Sequence, residues 1–144
     1  MGTNSPVTIT VEAIVQAPVE SVWKYWTEPK HIMQWNKASD DWHTPFAEND
    51  LKAGGKFVSR MEAKDGSFGF DFGGVYDEVN VNKNLSYTLG DGRKVKVDFI
   101  RQDNDTQIIE SFEAEETNAA EMQQAGWQAI LDNFKKYAET AKEE

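Results

Sequence analysis

The sequence predicts an α+β domain in which a curved antiparallel sheet of about six to seven strands carries a long C-terminal helix on its concave face. Three observations predict it. Residues 42–112 alternate apolar and polar side chains, with turn-forming residues recurring at intervals that suit an antiparallel meander. An earlier alternating stretch is separated from that meander by two short, proline-marked helical patterns. The final segment carries an apolar stripe at helical spacing and no internal proline.

Residues 7–16 place Val7, Ile9, Val11, Ala13 and Val15 on one face and mostly polar groups on the other, the pattern of a half-buried strand. Ala17 and Pro18 end it. Pro18 suits the first turn of a helix over about 18–26, because the N–H it lacks would have no partner there, and Val22, Trp23 and Trp26 follow at helical spacing. Thr27 is the expected cap of a second short helix, with Glu28 and Pro29 in its first turn and Ile32, Met33 and Trp35 as its apolar contacts.

In the meander, Gly54-Gly55, Asp65-Gly66, Asn82 to Asn84, Asp91-Gly92 and Asp103 to Asp105 supply the corners. Over residues 93–101, Val95, Val97 and Phe99 face one way while Lys94, Lys96 and Asp98 face the other. Phe57, Ser59 and Met61 repeat the pattern, as do Leu85, Tyr87 and Leu89, so several strands share one buried face. Phe68, Phe70 and Phe72 alternate with Gly69 and Asp71. Gly73-Gly74 offers a place for a bulge that reverses the faces of Val75, Asp77 and Val79, which leaves the register beyond it open. Over residues 106–113, Ile108 and Phe112 fit the dry face and turn Glu110 inward with them; the alternatives are a slipped register or a strand end open to water.

Asn118 and Glu121 have the spacing of a capping box ahead of a helix over about 119–141. Met122, Gly126, Trp127, Ile130, Phe134 and Tyr137 fall on one stripe, with Gln124, Gln128, Lys135 and Glu139 largely elsewhere. A glycine inside a helix costs about 1 kcal/mol relative to alanine unless a close neighbour recovers it, so Gly126 is expected to let the sheet or a ligand come near. One domain spans residues 1–144, with 1–5 and 142–144 expected to be frayed.

Composition narrows the function. A chain of 144 residues supports one core. Fifteen basic against twenty-five acidic residues give a net charge of -10, which repels phosphate backbones and makes nucleic acid an unexpected partner. The chain has no cysteine, which removes disulfides, zinc–thiolate sites and thiol nucleophiles. No apolar run approaches the roughly 18 residues of a membrane span, and no basic-then-apolar leader opens the chain, so a cytoplasmic protein is expected.

His31 and His43 are the first places to look for a general base or metal ligand, but neither has ligating company at a useful spacing. Ser59, Ser86 and Ser111 sit on strands without the flanking glycines of a nucleophile elbow. No catalytic residue, metal or cofactor is therefore assigned. Five Trp, eight Phe and four Tyr are many for this length and suit either a core or the walls of an apolar pocket. The candidate pocket residues are Trp35, Trp42, Phe57, Met61, Phe70, Tyr76, Tyr87, Phe99, Phe112, Trp127 and Ile130. Glu110 is the sharpest polar candidate, because a carboxyl on the dry face must be paired, hydrated by a cavity or protonated, and could orient a polar or cationic ligand group. The segment 35–50, joining helices to meander, is the expected lid.

Specific stretches also match a family. They are Ala17-Pro18 through Val22-Trp23, then Trp26-Thr27-Glu28-Pro29 with Trp35, then Asn49-Asp50-Leu51 leading to Gly54-Gly55 and Phe57. Gly74 through Val79, Leu85-Ser86-Tyr87-Thr88, and Gly126-Trp127 with Ile130-Leu131 complete the set. Over nearly its whole length the chain resembles the activator of heat-shock chaperone ATPase homologue group, within the START-like, birch-pollen-allergen-like (SRPBCC) superfamily. The resemblance implies the helix-grip fold. It also implies a choice among chaperone activators, lipid or sterol carriers, hormone receptors and cyclases. The expectation is a noncatalytic binder of a small apolar molecule or lipid-like metabolite, as a monomer or weak homodimer. The alternatives are a protein-interaction module related to chaperone ATPase activation or stress response, and a weak cyclase- or hydrolase-type enzyme.

Overall fold

The alternation at the start of the chain becomes strand β1 (Thr8–Val15), with Ile9, Val11 and Val15 buried and Val7 exposed just ahead of it. The computed structural model describes residues 7–141; the ends expected to fray, 1–5 and 142–144, lie outside those residues. Two short helices follow, α1 (Val19–Thr27) and α2 (Pro29–Trp35). Pro18 sits extended at the N-cap of α1 rather than in its first turn. Thr27 does not cap α2: it is the last residue of α1, and its hydroxyl donates back to the Trp23 carbonyl at 2.8 Å. Glu28 takes the cap position without a side-chain bond, and Pro29 occupies the first helical position, where its missing N–H costs nothing.

The meander forms β2 (Trp42–Asn49), β3 (Lys56–Ala63), β4 (Gly69–Asn80), β5 (Asn84–Leu89), β6 (Lys94–Gln102) and β7 (Asp105–Glu113). All seven strands join one curled antiparallel sheet in the order β1-β7-β6-β5-β4-β3-β2, with β1 and β2 at the edges. The five corners fall where the turn residues placed them, and Gly54, Gly66, Gly92, Asn82 and Asp103 all have positive φ there. The alternations on β5, β6 and β7 are as expected: Leu85, Tyr87, Leu89, Val95, Val97, Phe99, Ile108 and Phe112 are buried.

The bulge lies elsewhere than expected. Pairing of β3 with β4 runs unbroken from Gly69 to Val75, and the register slips against β5 only between Tyr76 and Glu78. Val75 and Asp77 therefore face solvent, whereas Val79 does turn inward against the core. The two glycines serve close strand approach instead: a Cβ on Gly73 would lie 2.5 Å from the Phe57 carbonyl oxygen, and one on Gly74 2.3 Å from that of Thr88. Phe68 precedes β4 and is exposed.

Helix α3 (Ala120–Thr140) closes the concave face. Asn118 does not cap it; Ala119 holds that position, and the Asn118 side-chain amide donates to Glu115 Oε1 at 2.8 Å. Trp127, Ile130, Phe134 and Tyr137 pack on the core as the stripe requires, joined by buried Leu131 and Ala138. Met122 does not, being 67% exposed, and Gln123 is buried in its stead. Nothing lies within 4 Å of a Cβ built on Gly126, so no neighbour makes the expected close approach. No helix among the described residues is long and apolar enough to cross a membrane.

Candidate functional site

Packing is dense on the α1–α2 side and open beside the first half of α3. On the dense side, the Phe134 ring sits edge-on to Trp26 and Trp35, at 4.8 and 4.9 Å between centroids. The Trp35 indole N–H donates to the Tyr25 carbonyl at 2.8 Å, which anchors α2 on α1. Along the sheet toward β3 and β4 this packing gives way to a cavity of about 280 Å³.

Each wall comes from one strand parity or one helix face. Strand β3 turns Phe57, Ser59 and Met61 inward, β4 supplies Phe70, Phe72 and Tyr76, β5 supplies Leu85 and Tyr87, and β7 supplies Glu110. The helices contribute Trp26, Ile32, Trp35, Trp127 and Ile130. Arg93, Glu115 and Gln123 add polar groups where β7 leads into α3, and Asn36 adds one after α2. The Phe57 ring stands edge-on to Tyr87 at 4.7 Å, and Trp127 stands edge-on to Phe72 at 6.0 Å.

Glu110 sits in this apolar setting and is 6% exposed. Among the described residues nothing donates a hydrogen bond to its carboxyl, and burial alone pushes it from 4.5 up to about 8, so the acid form prevails at neutral pH. Burial also raises the Tyr87 hydroxyl, and the neighbouring Glu110 charge adds to it. The Tyr76 hydroxyl, raised by burial as well, donates to Asn49 Oδ1 at 2.6 Å, and Asn49 Nδ2 donates to the Thr27 carbonyl at 2.5 Å. That chain ties β4 and β2 to the end of α1.

Nine of the candidates read from sequence meet here: Trp35, Phe57, Met61, Phe70, Tyr76, Tyr87, Glu110, Trp127 and Ile130. Three do not line the cavity. Phe99 packs against Trp23 and Trp26 in the core, Phe112 lies under Trp127, and Trp42 contacts Phe68 and Phe70 at a corner of the sheet. Half of the segment expected to be a lid is β2, paired with β3, and residues 36–41 ahead of it form the loop. Sequence reading passed over Ser59 and Phe72, although both share parity with neighbours it did select. Arg93, Glu115 and Gln123 carry no local signal, because a turn, a loop and a helix bring them together.

The histidines take structural places. His31 Nδ1 lies 2.6 Å from the Tyr137 hydroxyl, and His43 Nε2 lies 3.7 Å from Glu62 Oε1 at the edge of the sheet. Among the described residues no cluster of three His, Cys, Asp or Glu side chains could hold a metal ion.

A half-barrel sheet, two helices after the first strand and a long closing helix over a cavity can be set beside known proteins. Residues 16–139 match the family described as Activator of Hsp90 ATPase homolog 1-like protein. The chain belongs to this family. An AHSA1-like protein from Aeromonas hydrophila, solved by NMR, is 43% identical and superposes with a TM-score of 0.87 over 96% of this chain and 99% of its own. A protein from Cytophaga hutchinsonii is 60% identical, with a TM-score of 0.80 over 92% of each chain. One from Nitrosomonas europaea shares the fold at 18% identity, with a TM-score of 0.83 over 99% of this chain and all of its own. Among curated proteins none matches this AHSA1-like chain.

Proposed function

We propose that this AHSA1-like protein holds a small, largely apolar molecule between α3 and the sheet and performs no chemistry on it. The observation that carries this reading is Glu110, a carboxyl without a hydrogen-bonding partner among the described residues, facing a cavity otherwise walled by aromatic and aliphatic side chains. An unpartnered polar group in a packed core costs on the order of 1–3 kcal/mol, so a carboxyl in this position makes physical sense where a ligand completes its hydrogen bonds. Burial of the ligand's apolar area at roughly 25 cal/mol per Å² supplies affinity, and Glu110 with Tyr87 sets orientation.

Native mass spectrometry of freshly purified protein, compared with the denatured chain, tests this directly. A released small molecule identifies the occupant. An empty protein that shows no thermal shift with a lipid and metabolite panel counts against the reading, since a ligand at about 100 times its dissociation constant adds roughly 2.7 kcal/mol.

A second reading rests on the exposed corner where Trp42 meets Phe68 and Phe70 edge-on. Such a corner suits a protein partner, and the family description names the ATPase of Hsp90 as the one to try. Faster ATP hydrolysis by that chaperone on adding the protein, lost in Trp42→Ala, supports it; an unchanged rate removes it.

A further inference from the structure

Three buried side chains bring oxygens to the cavity with no protein partner among the described residues: the Glu110 carboxyl and the hydroxyls of Tyr87 and Ser59. Of the other polar side chains in the lining, Asn36 is half-buried after α2, and Tyr76, Gln123, Arg93 and Glu115 have protein partners. Tyr76 donates to Asn49, and Gln123 is bound on both sides by the backbone of Glu115 and the Asn118 carbonyl. Arg93, the one cation in the lining, donates from Nε to Asp91 Oδ2 at 2.8 Å and from Nη1 to the Glu113 carbonyl at 3.4 Å. Glu115 accepts from the backbone and side chain of Asn118. Glu110 is thus the only ionisable acid in the lining with all of its acceptor capacity open.

Building on the ligand-binding reading, we infer that the occupant is a small amine with an aromatic or aliphatic body, whose protonated nitrogen donates to Glu110 while the body lies against the ring walls. Size sets the first bound: 280 Å³ holds about nine water-sized groups at ~30 Å³ each, hence a molecule of about ten non-hydrogen atoms. Sign sets the second. An anion would meet Glu110 and Glu115 with the sole cation already held by Asp91. A neutral hydroxyl or carbonyl would gain one ordinary hydrogen bond. An ammonium gains a charge-assisted bond and a further acceptor in the neighbouring Tyr87 hydroxyl, while the aromatic side chains of Trp127, Phe72 and Phe57 in the lining receive the body. The chain's net charge of -10 also concentrates cations around it.

The proton balance follows. The acid of Glu110 becomes a carboxylate when it pairs with the ammonium, so an amine entering already protonated releases one proton to solvent, and an amine entering neutral takes the proton from Glu110. The titratable and charged groups that share the cavity with Glu110 are the neighbouring Tyr87 on β5, Tyr76 on β4, Arg93 ahead of β6 and Glu115 after β7; α3 contributes only uncharged side chains to this lining.

Three probes with a common body test the idea: 2-phenylethylamine, 2-phenylethanol and phenylacetate, titrated into the ¹⁵N-labelled full chain at pH 7. The amine is expected to bind about tenfold tighter than the alcohol, the difference between a charged and a neutral hydrogen bond, with phenylacetate weakest. Glu110→Gln, which matches the neutral acid in shape, brings amine and alcohol to about the same affinity; should that variant misfold, the wild-type order remains decisive. Equal or tighter binding of the alcohol overturns the amine and leaves the ligand-binding reading standing. Shifts at cavity residues from none of the three overturn both.

Discussion

The indole of Trp127 lies flat on the ring of Phe112, with centroids 3.9 Å apart and planes 10° from parallel. The pair joins α3 to β7 directly, and one face of Phe112 is thereby covered by a side chain that also lines the cavity. An aromatic pair of this kind contributes about 0.5–1.5 kcal/mol beyond the area it buries. Because Trp127 is only partly buried, Trp127→Ala is expected to cost about 2 kcal/mol, below the 3–5 of a fully buried tryptophan. Urea unfolding measures that loss. Ligand affinity should fall by more than the folding loss accounts for, and equal affinity in the variant takes Trp127 out of the site.

Glu110 predicts a slope of stability with pH. Its carboxyl titrates near 4.5 when exposed in the unfolded chain and at about 8 in the fold. Between those values the folded protein binds the extra proton, so stability is greatest below about 4.5, falls as pH rises and levels off above about 8. The loss is up to ~1.4 kcal/mol for each pH unit inside that window. Glu110→Gln removes this component, so the difference between wild-type and variant melting curves should widen from pH 5 to 8 in favour of the variant. Parallel curves contradict the burial of this group.

Gly126 gives the opposite kind of test. It sits inside α3 with open space where a side chain would be. Gly126→Ala should therefore stabilise the protein by about 1 kcal/mol through helix propensity alone. A melting temperature raised by a few degrees is the expected result, and a lowered one places an unseen neighbour at that position.

Tyr76→Phe keeps the ring in the cavity wall but leaves Asn49 Oδ1 without its donor. The expected cost is about 1–2 kcal/mol in urea unfolding, with little change in the binding of an apolar probe. A larger change in binding than in stability assigns the hydroxyl to the ligand instead.

Much of this architecture was legible because strands advertise themselves in pairs. Val95, Val97 and Phe99, or Ile108, Glu110 and Phe112, declare one face by period alone, and Glu110 follows its neighbours inward however unfavourable its charge. What stayed hidden was decided by short-range competition or by distant backbone. Thr27 had a free choice between capping α2 and bonding back to Trp23, and it took the latter. Asn118 turned to Glu115. The Gly73-Gly74 pair looked like a bulge because the strands that crowd it, β3 and β5, are far apart in sequence. Trp42 reads as a pocket residue only until the irregularity between His43 and Phe46 breaks the parity of β2.

The register slip after Tyr76 has a consequence for how the protein can change over generations. Before it, the inward side chains of β4 wall the cavity; after it, Val79 belongs to the packed core. A single strand thus carries two independent assignments, offset by one residue at Asp77. Phe70 and Phe72 can be exchanged to admit a different occupant without disturbing Val79, so selectivity is free to drift while the scaffold stays where it is. Deleting Asp77 would leave Glu78 opposite Ser86 and Val79 opposite Leu85 in an unbroken ladder, so Val79 would keep its inward side and only the local kink would be lost.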